Sequence, residues 1–283
     1  MAMMCALCAI AAISARVAPA RQSAISAASE SRAYLGFDRN TYPGDAAIST
    51  LRKTFSFTGY WLNNPPGENS NSWRGKREIL NSNGFGFLLL FNGRLYKDLK
   101  SVALAKSIGA RDAATAVASA KREGFPTGAI IFLDQEQGGH MLPEQRAYLH
   151  SWIDGIIAAG FRAGIYCSGI AATENGEHGV ITANDIRDGA EGRNIEFFIY
   201  NDSCPPSPGC SAPVNPPLPA QSGVAFATVW QFAQSPRRPE YTSKCASHYD
   251  ADGNCYAPLF QRPKAIEVDV SSATSADPSS ARR

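Results

Sequence analysis

The sequence lacks an excess of charge of either sign. Its 283 residues include 27 Lys and Arg against 25 Asp and Glu, which leaves a net charge of +2. Proteins that bind nucleic acid or an anionic membrane surface usually carry a marked basic patch. The balance therefore predicts no nucleic acid partner, and it favours a neutral or mixed-charge ligand.

Long apolar runs are also absent, so no membrane span is predicted. The apolar run at residues 5–14 (CALCAIAAIS) is too short to cross a bilayer. It precedes Ala18-Pro19-Ala20, a small-x-small cleavage pattern, so residues 1–20 are predicted to be a signal peptide and 21–33 a linker. The first four residues contain no Lys or Arg, which makes the signal imperfect; a wrongly chosen start codon would explain this. We expect a secreted or periplasmic protein.

Phosphate-binding loops and metal-ligand spacings are missing as well. The segment from Gly84 to Gly86 is too short for a phosphate cradle and precedes no helix. None of the four histidines stands at ligand spacing, and the cysteines outside the signal peptide lack the two-residue spacing of zinc sites. The prediction is no cofactor and no resident metal.

Two cysteine pairs lie in long irregular segments. Cys204 and Cys210 flank a Pro-rich stretch, and Cys245 and Cys255 flank a polar loop, so disulfides would restrict otherwise loose chain. Pairing 204 with 210 and 245 with 255 is the simplest arrangement, although four cysteines allow three connectivities. Cys167 lies in an apolar run and is predicted to be a small buried core residue.

The remaining chain alternates between strand and helix patterns. The predicted strands are 34–39, 57–62, 86–92, 163–168, 195–200, 225–232 and 265–270, together with one that begins at residue 129. The predicted helices are 45–55, 76–83, 110–123, 143–159 and 183–189. This order predicts an α/β fold, a single (β/α)8-type TIM barrel over residues 34–272, with an irregular, helix-poor second half. The tail, residues 273–283, is predicted to be disordered.

The strand that begins at Ala129 ends on two carboxylates, Asp134 and Glu136. Side chains alternate along a strand, so these two are expected to point the same way at the carboxyl end, where parallel sheets bind substrates. Two nearby acids can have their pKa values pushed apart, which leaves one to donate a proton and one ionised. Glu136, next to an apolar strand, is expected to be the less solvated of the two and the acid. The alternative is a solvated strand end that leads into a polar loop.

Other polar and aromatic residues fall at predicted strand ends, which in a closed barrel meet at one rim. Asp38 would be a rim acid or a turn residue, and Asp269 a rim acid or an anchor of the last strand. Aromatic rings at strand ends, Tyr166 among them, can stack on sugars, but Trp230 could equally be core, and Trp61 is expected to be core. The candidate substrate-binding residues are Asp38, Asp269, Tyr200, Asp202, Trp230 and Gln231.

Six short segments carry a family resemblance: YLGFDR, IIFLDQE, AGIYCSG, FFIYND, VWQFAQS and IEVDVS. In this order they resemble the family 25 glycoside hydrolases, which are muramidases. They are more similar still to a related glycoside-hydrolase-like family of exported bacterial proteins. The resemblance spans about residues 34–272. Two departures stand out: Ser271 replaces a usual Asn, and the Cys/Pro-rich loop replaces an aromatic platform.

The resemblance implies roles for individual residues. Glu136 matches the proton-donating glutamate, and Asp134 matches the carboxylate that steers the substrate's acetamido group or stabilises positive charge. Asp38 and Asp269 match acids that hold this pair and the sugar. Tyr200 or Asp202 falls where the muramidases place sugar-contacting residues.

Three functions remain open on the sequence. The first is an exported glycosidase, expected to be a monomer, that acts on peptidoglycan or a related cell-wall glycan by carboxylate acid/base catalysis. The second is a catalytically inactive barrel that binds glycan. The third is a metal-dependent hydrolase with the rim acids as oxygen ligands of magnesium or calcium. The spacing of Asp134 and Glu136 allows either a retaining or an inverting mechanism.

Overall fold

The computed structural model of the protein describes residues 32–174, 176–204, 209–261 and 263–280. The predicted signal peptide at 1–20, and all but the last two residues of the predicted linker, lie outside these ranges. Within the described ranges, the helices are all too short or too polar to cross a membrane.

Eight strands close into a barrel in the order β1-β10-β9-β8-β5-β4-β3-β2, and β2 pairs back onto β1. This confirms the predicted TIM-type barrel. The barrel strands are β1 (Tyr34–Asp38), β2 (Phe57–Trp61), β3 (Gly86–Asn92), β4 (Ile130–Asp134), β5 (Arg162–Ser168), β8 (Ile195–Tyr200), β9 (Val229–Ala233) and β10 (Asp269–Ala273). A separate hairpin, not predicted, consists of β6 (Ala172–Glu174) and β7 (Glu177–Val180).

Helices are long only between β3 and β5, and the second half of the barrel is helix-poor, as predicted. The helices are α1 (Asp45–Leu51), α2 (Arg77–Ser82), α3 (Val102–Arg122), α4 (Pro143–Ala158), α5 (Thr182–Asp188) and α6 (Pro239–Thr242). Short 3-10 helices are Tyr96–Asp98, Pro219–Ser222 and Ser243–His248. Helix α3 starts earlier than predicted because the Ser101 hydroxyl accepts a hydrogen bond from the Leu104 amide at 3.3 Å and caps it.

The last strand runs opposite to its neighbours. β10 pairs antiparallel with both β1 and β9, and Asp269 lies directly across from Asp38. The predicted strand at 265–270 was therefore misplaced: Asp269 begins the strand and does not end it. Because β10 is antiparallel, its first residue reaches the same rim as the last residue of β1. The alternating apolar pattern of residues 265–270 could not indicate strand direction, and the true strand is rich in buried serine.

Aromatic rings fill the barrel interior below this rim, in the space left by glycines on neighbouring strands. A Cβ added at Gly36 would lie 2.2 Å from the Phe57 ring, and one added at Gly164 would lie 2.4 Å from the Phe132 ring. Both rings are fully buried, and Phe132 packs edge-on against Phe198 at 6.2 Å. Such close packing excludes water, so the rim lies above an apolar floor.

The segment after β10 contradicts the predicted disorder for residues 273–280. The Asp277 carboxylate accepts a hydrogen bond from the Phe87 amide at 2.7 Å. The Ser279 hydroxyl accepts one from Leu89 at 2.8 Å, and the Ser279 carbonyl accepts one from Ile130 at 2.9 Å. A Ser- and Ala-rich composition gave no sign that these small polar groups would pair with the backbone of β3 and β4.

The disulfide pairing differs from the simplest arrangement. Cys204 bonds to Cys245 and Cys210 bonds to Cys255, so each bridge joins the Pro-rich stretch to the polar loop. Pairing of sequence neighbours was wrong because the two segments lie against each other in space, which their spacing along the chain does not reveal. Cys167 is free and fully buried, as predicted.

Candidate functional site

A cavity of about 540 Å³ opens at the rim formed by the carboxyl ends of the parallel strands. Every barrel strand contributes one side chain to its wall. In chain order these are Asp38, Trp61, Leu90, Asp134, Tyr166, Phe198, Gln231 and Asp269. Residues from the loops and from the start of α6 complete the wall, namely Asn40, Pro66, Glu136, Gln234, Ser235, Pro236, Arg237, Arg238, Pro239 and Glu240.

The Gln231 side chain holds two of the predicted rim acids together. Its amide nitrogen donates to both carboxylate oxygens of Asp38, at 3.2 and 3.1 Å, and to Asp269 at 3.4 Å. Its amide oxygen accepts a hydrogen bond from the Tyr166 hydroxyl at 2.8 Å. The structure therefore brings Asp38, Gln231 and Asp269 into one buried network, although they are far apart in the sequence.

Space for the Asp38 carboxyl depends on a glycine in the neighbouring strand. A Cβ added at Gly59 would lie 2.5 Å from the Cβ of Asp38. Burial raises the pKa of Asp38 to about 7, and the hydrogen bond from Gln231 opposes this rise. Burial and then repulsion from Asp38 raise the pKa of Asp269 well above its usual range, against the opposing bond from the Ser235 amide.

Asp134 is the last residue of β4 and is almost completely buried. Within the described part of the chain, its Oδ1 atom has no hydrogen-bond partner. Burial raises the pKa of Asp134 well above its usual range, and repulsion from Glu136 and Asp38 adds to the rise. This carboxyl group therefore keeps its proton under conditions in which an exposed aspartate is ionised.

Glu136 lines the same cavity but is exposed to solvent. The expectation that Glu136 is the less solvated acid of the pair is wrong, and Asp134 holds that position. The reason is that β4 ends at Asp134, so Glu136 lies in the following loop and not on the strand. The expectation that the two side chains share one opening agrees with the cavity wall.

Trp230, predicted as a sugar contact, does not reach the cavity. Side chains alternate along β9, so Gln231 faces the cavity and Trp230 faces the other way. Trp230 is fully buried, and its indole nitrogen donates to the Asn201 carbonyl at 3.0 Å. Trp61 is part of the buried core, as expected, and it also lines the cavity at the end of β2 with 5% of its surface exposed.

Tyr200 and Asp202 are also absent from the cavity wall. Asp202 is fully buried and accepts hydrogen bonds from the Tyr249 hydroxyl and from the Gln234 amide, so it ties loops together. Burial raises the pKa of Asp202 to about 7, although these hydrogen bonds oppose the rise. The Tyr200 ring lies under the guanidinium group of Arg238, 5.1 Å from the ring centre.

Several lining residues escaped the sequence analysis. Gln234, Arg237 and Arg238 belong to the loop after β9, and no periodic pattern indicates that this loop folds over the cavity. Tyr166, by contrast, is among the strand-end aromatic residues expected to contact a sugar, and it lines the cavity. Among the described residues, no group of three or more His, Cys, Asp or Glu side chains is arranged to hold a metal ion.

The comparison with protein families decides what kind of domain this is. Residues 58–197 match the family model described as Rv2525c-like, glycoside hydrolase-like domain. The chain carries a glycoside-hydrolase-like domain. The predicted resemblance is thereby confirmed. The matched span of the glycoside-hydrolase-like domain includes Asp134 and Glu136, whereas Asp38, Gln231 and Asp269 lie outside it.

Solved structures agree with the fold of this glycoside-hydrolase-like domain. An uncharacterized protein of B. stearothermophilus is 18% identical, with a TM-score of 0.53 over 85% of this chain and 95% of that one. The Tat-secreted protein Rv2525c of Mycobacterium tuberculosis is 14% identical, with a TM-score of 0.49 over 89% and 98%. The spore cortex lytic enzyme SleM of Clostridium perfringens is 15% identical, with a TM-score of 0.49 over 86% and 68%. No curated protein matches the chain.

The raised pKa of Asp134 predicts how the stability of the glycoside-hydrolase-like domain depends on pH. The folded state binds this proton more tightly than the unfolded chain, so the free energy of unfolding falls as the pH rises from about 4 toward the folded-state pKa. The substitution Asp134→Asn keeps the side chain neutral. At pH 8 it is expected to raise the free energy of unfolding by about 1–3 kcal/mol, and at pH 4 the gain should nearly vanish.

Urea unfolding of the wild type and Asp134→Asn at pH 4, 6 and 8 measures this difference. Asp98→Asn, at an exposed position in a 3-10 helix, is the matched control and should show no gain that grows with pH. A variant that gains as much at pH 4 as at pH 8 would contradict the assignment of a buried, protonated carboxyl group.

Proposed function

We propose that this protein is a glycosidase that cleaves a cell-wall glycan, peptidoglycan or a related polysaccharide, by carboxylate acid/base catalysis. The observation that carries the proposal is the contrast between two acids in one cavity. Asp134 is buried and has a raised pKa, whereas Glu136 is exposed at the mouth, and both lie within the matched glycoside-hydrolase-like span. Two carboxyl groups in unlike environments are what glycosidic cleavage requires.

Glu136 is assigned the role of proton donor to the leaving oxygen. Its loop position lets it approach a glycosidic bond that lies across the cavity mouth, and a bound sugar would displace water from it. This is also the role implied by the resemblance to muramidases. Proton transfer needs the donor within hydrogen-bond reach of the leaving oxygen, and the open cavity leaves room for that approach.

Asp134 is assigned the role of stabilising the positive charge that develops on the sugar ring. In the water-poor floor of the cavity, a carboxylate interacts strongly with such a charge. Since Asp134 holds its proton in the empty cavity, that proton would pass to Glu136 when the sugar binds, and Glu136 would then deliver it to the leaving oxygen. The Asp134 carboxylate left behind is stabilised chiefly when the cationic transition state is present. Asp38 and Asp269, fixed by Gln231, would hydrogen-bond the hydroxyl groups of the same sugar.

A secreted or periplasmic location is part of the proposal. Two disulfides occur in the described chain, and disulfides persist mainly in oxidising compartments outside the cytosol. The predicted signal peptide is in keeping with this location. A glycan of the cell wall would be accessible there.

A second candidate is a barrel that binds glycan without cleaving it. It is favoured by the Gln231 network, in which polar groups capable of binding sugar hydroxyls are fixed without requiring chemistry. It would use the same cavity and the same rim.

One assay separates these functions. The protein is incubated with purified peptidoglycan and with chitin oligomers, and the products are identified by mass spectrometry. Fragments with new reducing ends, formed at a rate that depends on protein concentration, would support hydrolysis. Retention of the protein on peptidoglycan without release of fragments would favour the binding module. The absence of both cleavage and retention would contradict both functions.

A further inference from the structure

The loop after β9 carries two adjacent arginines, and both line the cavity. We propose that Arg237 and Arg238 form an anion subsite at the cavity mouth, and that this subsite selects glycans with a carboxylate substituent on the bound sugar. The inference rests on the proposed glycan-binding function and specifies its substrate class. It is narrower than the neutral or mixed-charge ligand that the overall charge balance favours.

Neither guanidinium group forms an ion pair with another described residue. Across the described residues, no carboxylate lies within ion-pair distance of Arg237 or Arg238, although eleven other ion pairs are formed. The Nε atom of Arg237 is buried and has no hydrogen-bond partner there. A buried donor without an acceptor is costly, and an oxygen of a ligand would satisfy it.

Aromatic rings fix the two groups in place. The guanidinium carbon of Arg237 lies 5.8 Å from the centre of the Tyr249 ring, and that of Arg238 lies 5.1 Å from the centre of the Tyr200 ring. A ring face attracts the cation without using the N–H groups at its edges. Those edges form the fork that matches the two oxygens of a carboxylate. This gives Tyr200 a positioning role at the site in place of direct sugar contact.

The backbone of this loop is held at several points. Pro236 and Pro239 flank the arginines and restrict the chain. The Arg237 amide donates to the Gly253 carbonyl at 2.5 Å. The Ser235 hydroxyl donates to the Asn254 side chain at 3.0 Å. A subsite held this way loses little freedom when it binds a ligand, which favours affinity.

The charges of the cavity explain why such a subsite would be needed. Four acids line the cavity floor and mouth, and Glu240 adds a fifth near the arginines. Asp202 and Asp269 also interact electrostatically with Arg238. The two exposed acids, Glu136 and Glu240, would repel an anionic sugar from this opening without a cation, whereas a neutral sugar gains nothing from one. Two unpaired arginines at an acidic cavity therefore fit an anionic ligand.

The test measures binding apart from hydrolysis. Calorimetric titrations use the Glu136→Gln protein with three oligosaccharides of equal length: neutral chitin oligomers, oligomers that contain N-acetylmuramic acid, and oligogalacturonate. We expect at least tenfold tighter binding of one acidic oligomer than of the neutral one, weakened by added salt. Tighter binding of the muramic acid oligomer would identify the carboxylate as a lactyl substituent, and tighter binding of oligogalacturonate would identify it as a ring substituent. The methyl ester of the preferred oligomer should bind no more tightly than the neutral one.

The double substitution Arg237→Gln and Arg238→Gln, added to Glu136→Gln, should remove the preference and its salt dependence while leaving the affinity for chitin oligomers within twofold. Arg122→Gln, at the other end of the barrel on α3, is the charge-matched control for one arginine and should keep the preference. Unchanged melting temperatures show that the variants are folded. Equal affinity for acidic, esterified and neutral oligomers, or a preference that survives loss of both arginines, would overturn the subsite.

The subsite and the proposed hydrolysis can fail separately. Arginine-dependent binding without cleavage of any glycan by the wild type would overturn hydrolysis and support the subsite. Cleavage of neutral and acidic glycans at equal efficiency would support hydrolysis and overturn the subsite.

Discussion

Glu136→Gln is expected to reduce the rate of glycan hydrolysis by about 10²- to 10⁴-fold, the usual contribution of a positioned general acid. Glutamine has nearly the same shape as glutamate but cannot supply the proton. Because Glu136 is exposed and lies in a loop, the change should leave the melting temperature within about 1 °C of the wild type. Release of reducing ends and differential scanning fluorimetry measure the two effects.

The matched control for this variant is Glu144→Gln. Glu144 is a half-buried glutamate in the first turn of α4 and does not line the cavity. It should retain full hydrolysis, with a stability loss of no more than about 1 kcal/mol from the weaker interaction with the helix dipole. Undiminished turnover by Glu136→Gln would remove Glu136 from the role of acid and shift the assignment to Asp134.

The architecture could be predicted because buried parallel strands have a strong sequence signature. Residues 87–91 are a continuous apolar run, residues 195–200 are apolar except for Glu196, and the structure places strands at both. The Asp-x-Glu sequence after β4 likewise indicated where the cavity lies, because side chains at the carboxyl ends of parallel strands share one rim. These inferences needed only local pattern and the topology of a closed barrel.

The predictions that were wrong concern features that depend on contacts between residues far apart in the sequence. The direction of β10 is set by its pairing with β1 and β9, and no local pattern records that pairing. Trp61 and Trp230 both fall in predicted strands, but only the first occupies the cavity-facing position of its strand. The exposure of Glu136 depends on the residue at which β4 ends, and strand ends are poorly marked in sequence.

The position of the loop that carries Arg237 and Arg238 could not be predicted from its sequence either. Its sequence, Ser-Pro-Arg-Arg-Pro-Glu, reads as an irregular surface loop. Its place over the cavity follows from hydrogen bonds to residues 253–255 and from the bridge between Cys210 and Cys255. Side chains that act at the mouth are thus positioned by a covalent link that sequence spacing alone did not identify.

Removal of that link by the double substitution Cys210→Ser and Cys255→Ser is expected to have the largest effect on stability. The bridge closes a chain segment of 45 residues. Loss of the constraint on the unfolded chain should lower the free energy of unfolding by about 4 kcal/mol, and hence the melting temperature by about 10 °C. Thermal unfolding under non-reducing conditions measures the loss.

The same variant should also lower the affinity for acidic glycans. The Cys255 amide donates to the Ser235 hydroxyl at 3.2 Å, and Ser235 directly precedes the Pro-Arg-Arg-Pro segment, so loss of the bridge loosens the arginines. Cys167→Ala keeps both bridges and changes only a buried core residue, so its melting temperature should fall by no more than about 3 °C. A small loss for the double serine variant, equal to that of Cys167→Ala, would mean that hydrogen bonds, packing and the remaining Cys204–Cys245 bridge hold the segment between β8 and β10. In that case the arginines would owe their position to the Tyr200 and Tyr249 rings and not to the bridge.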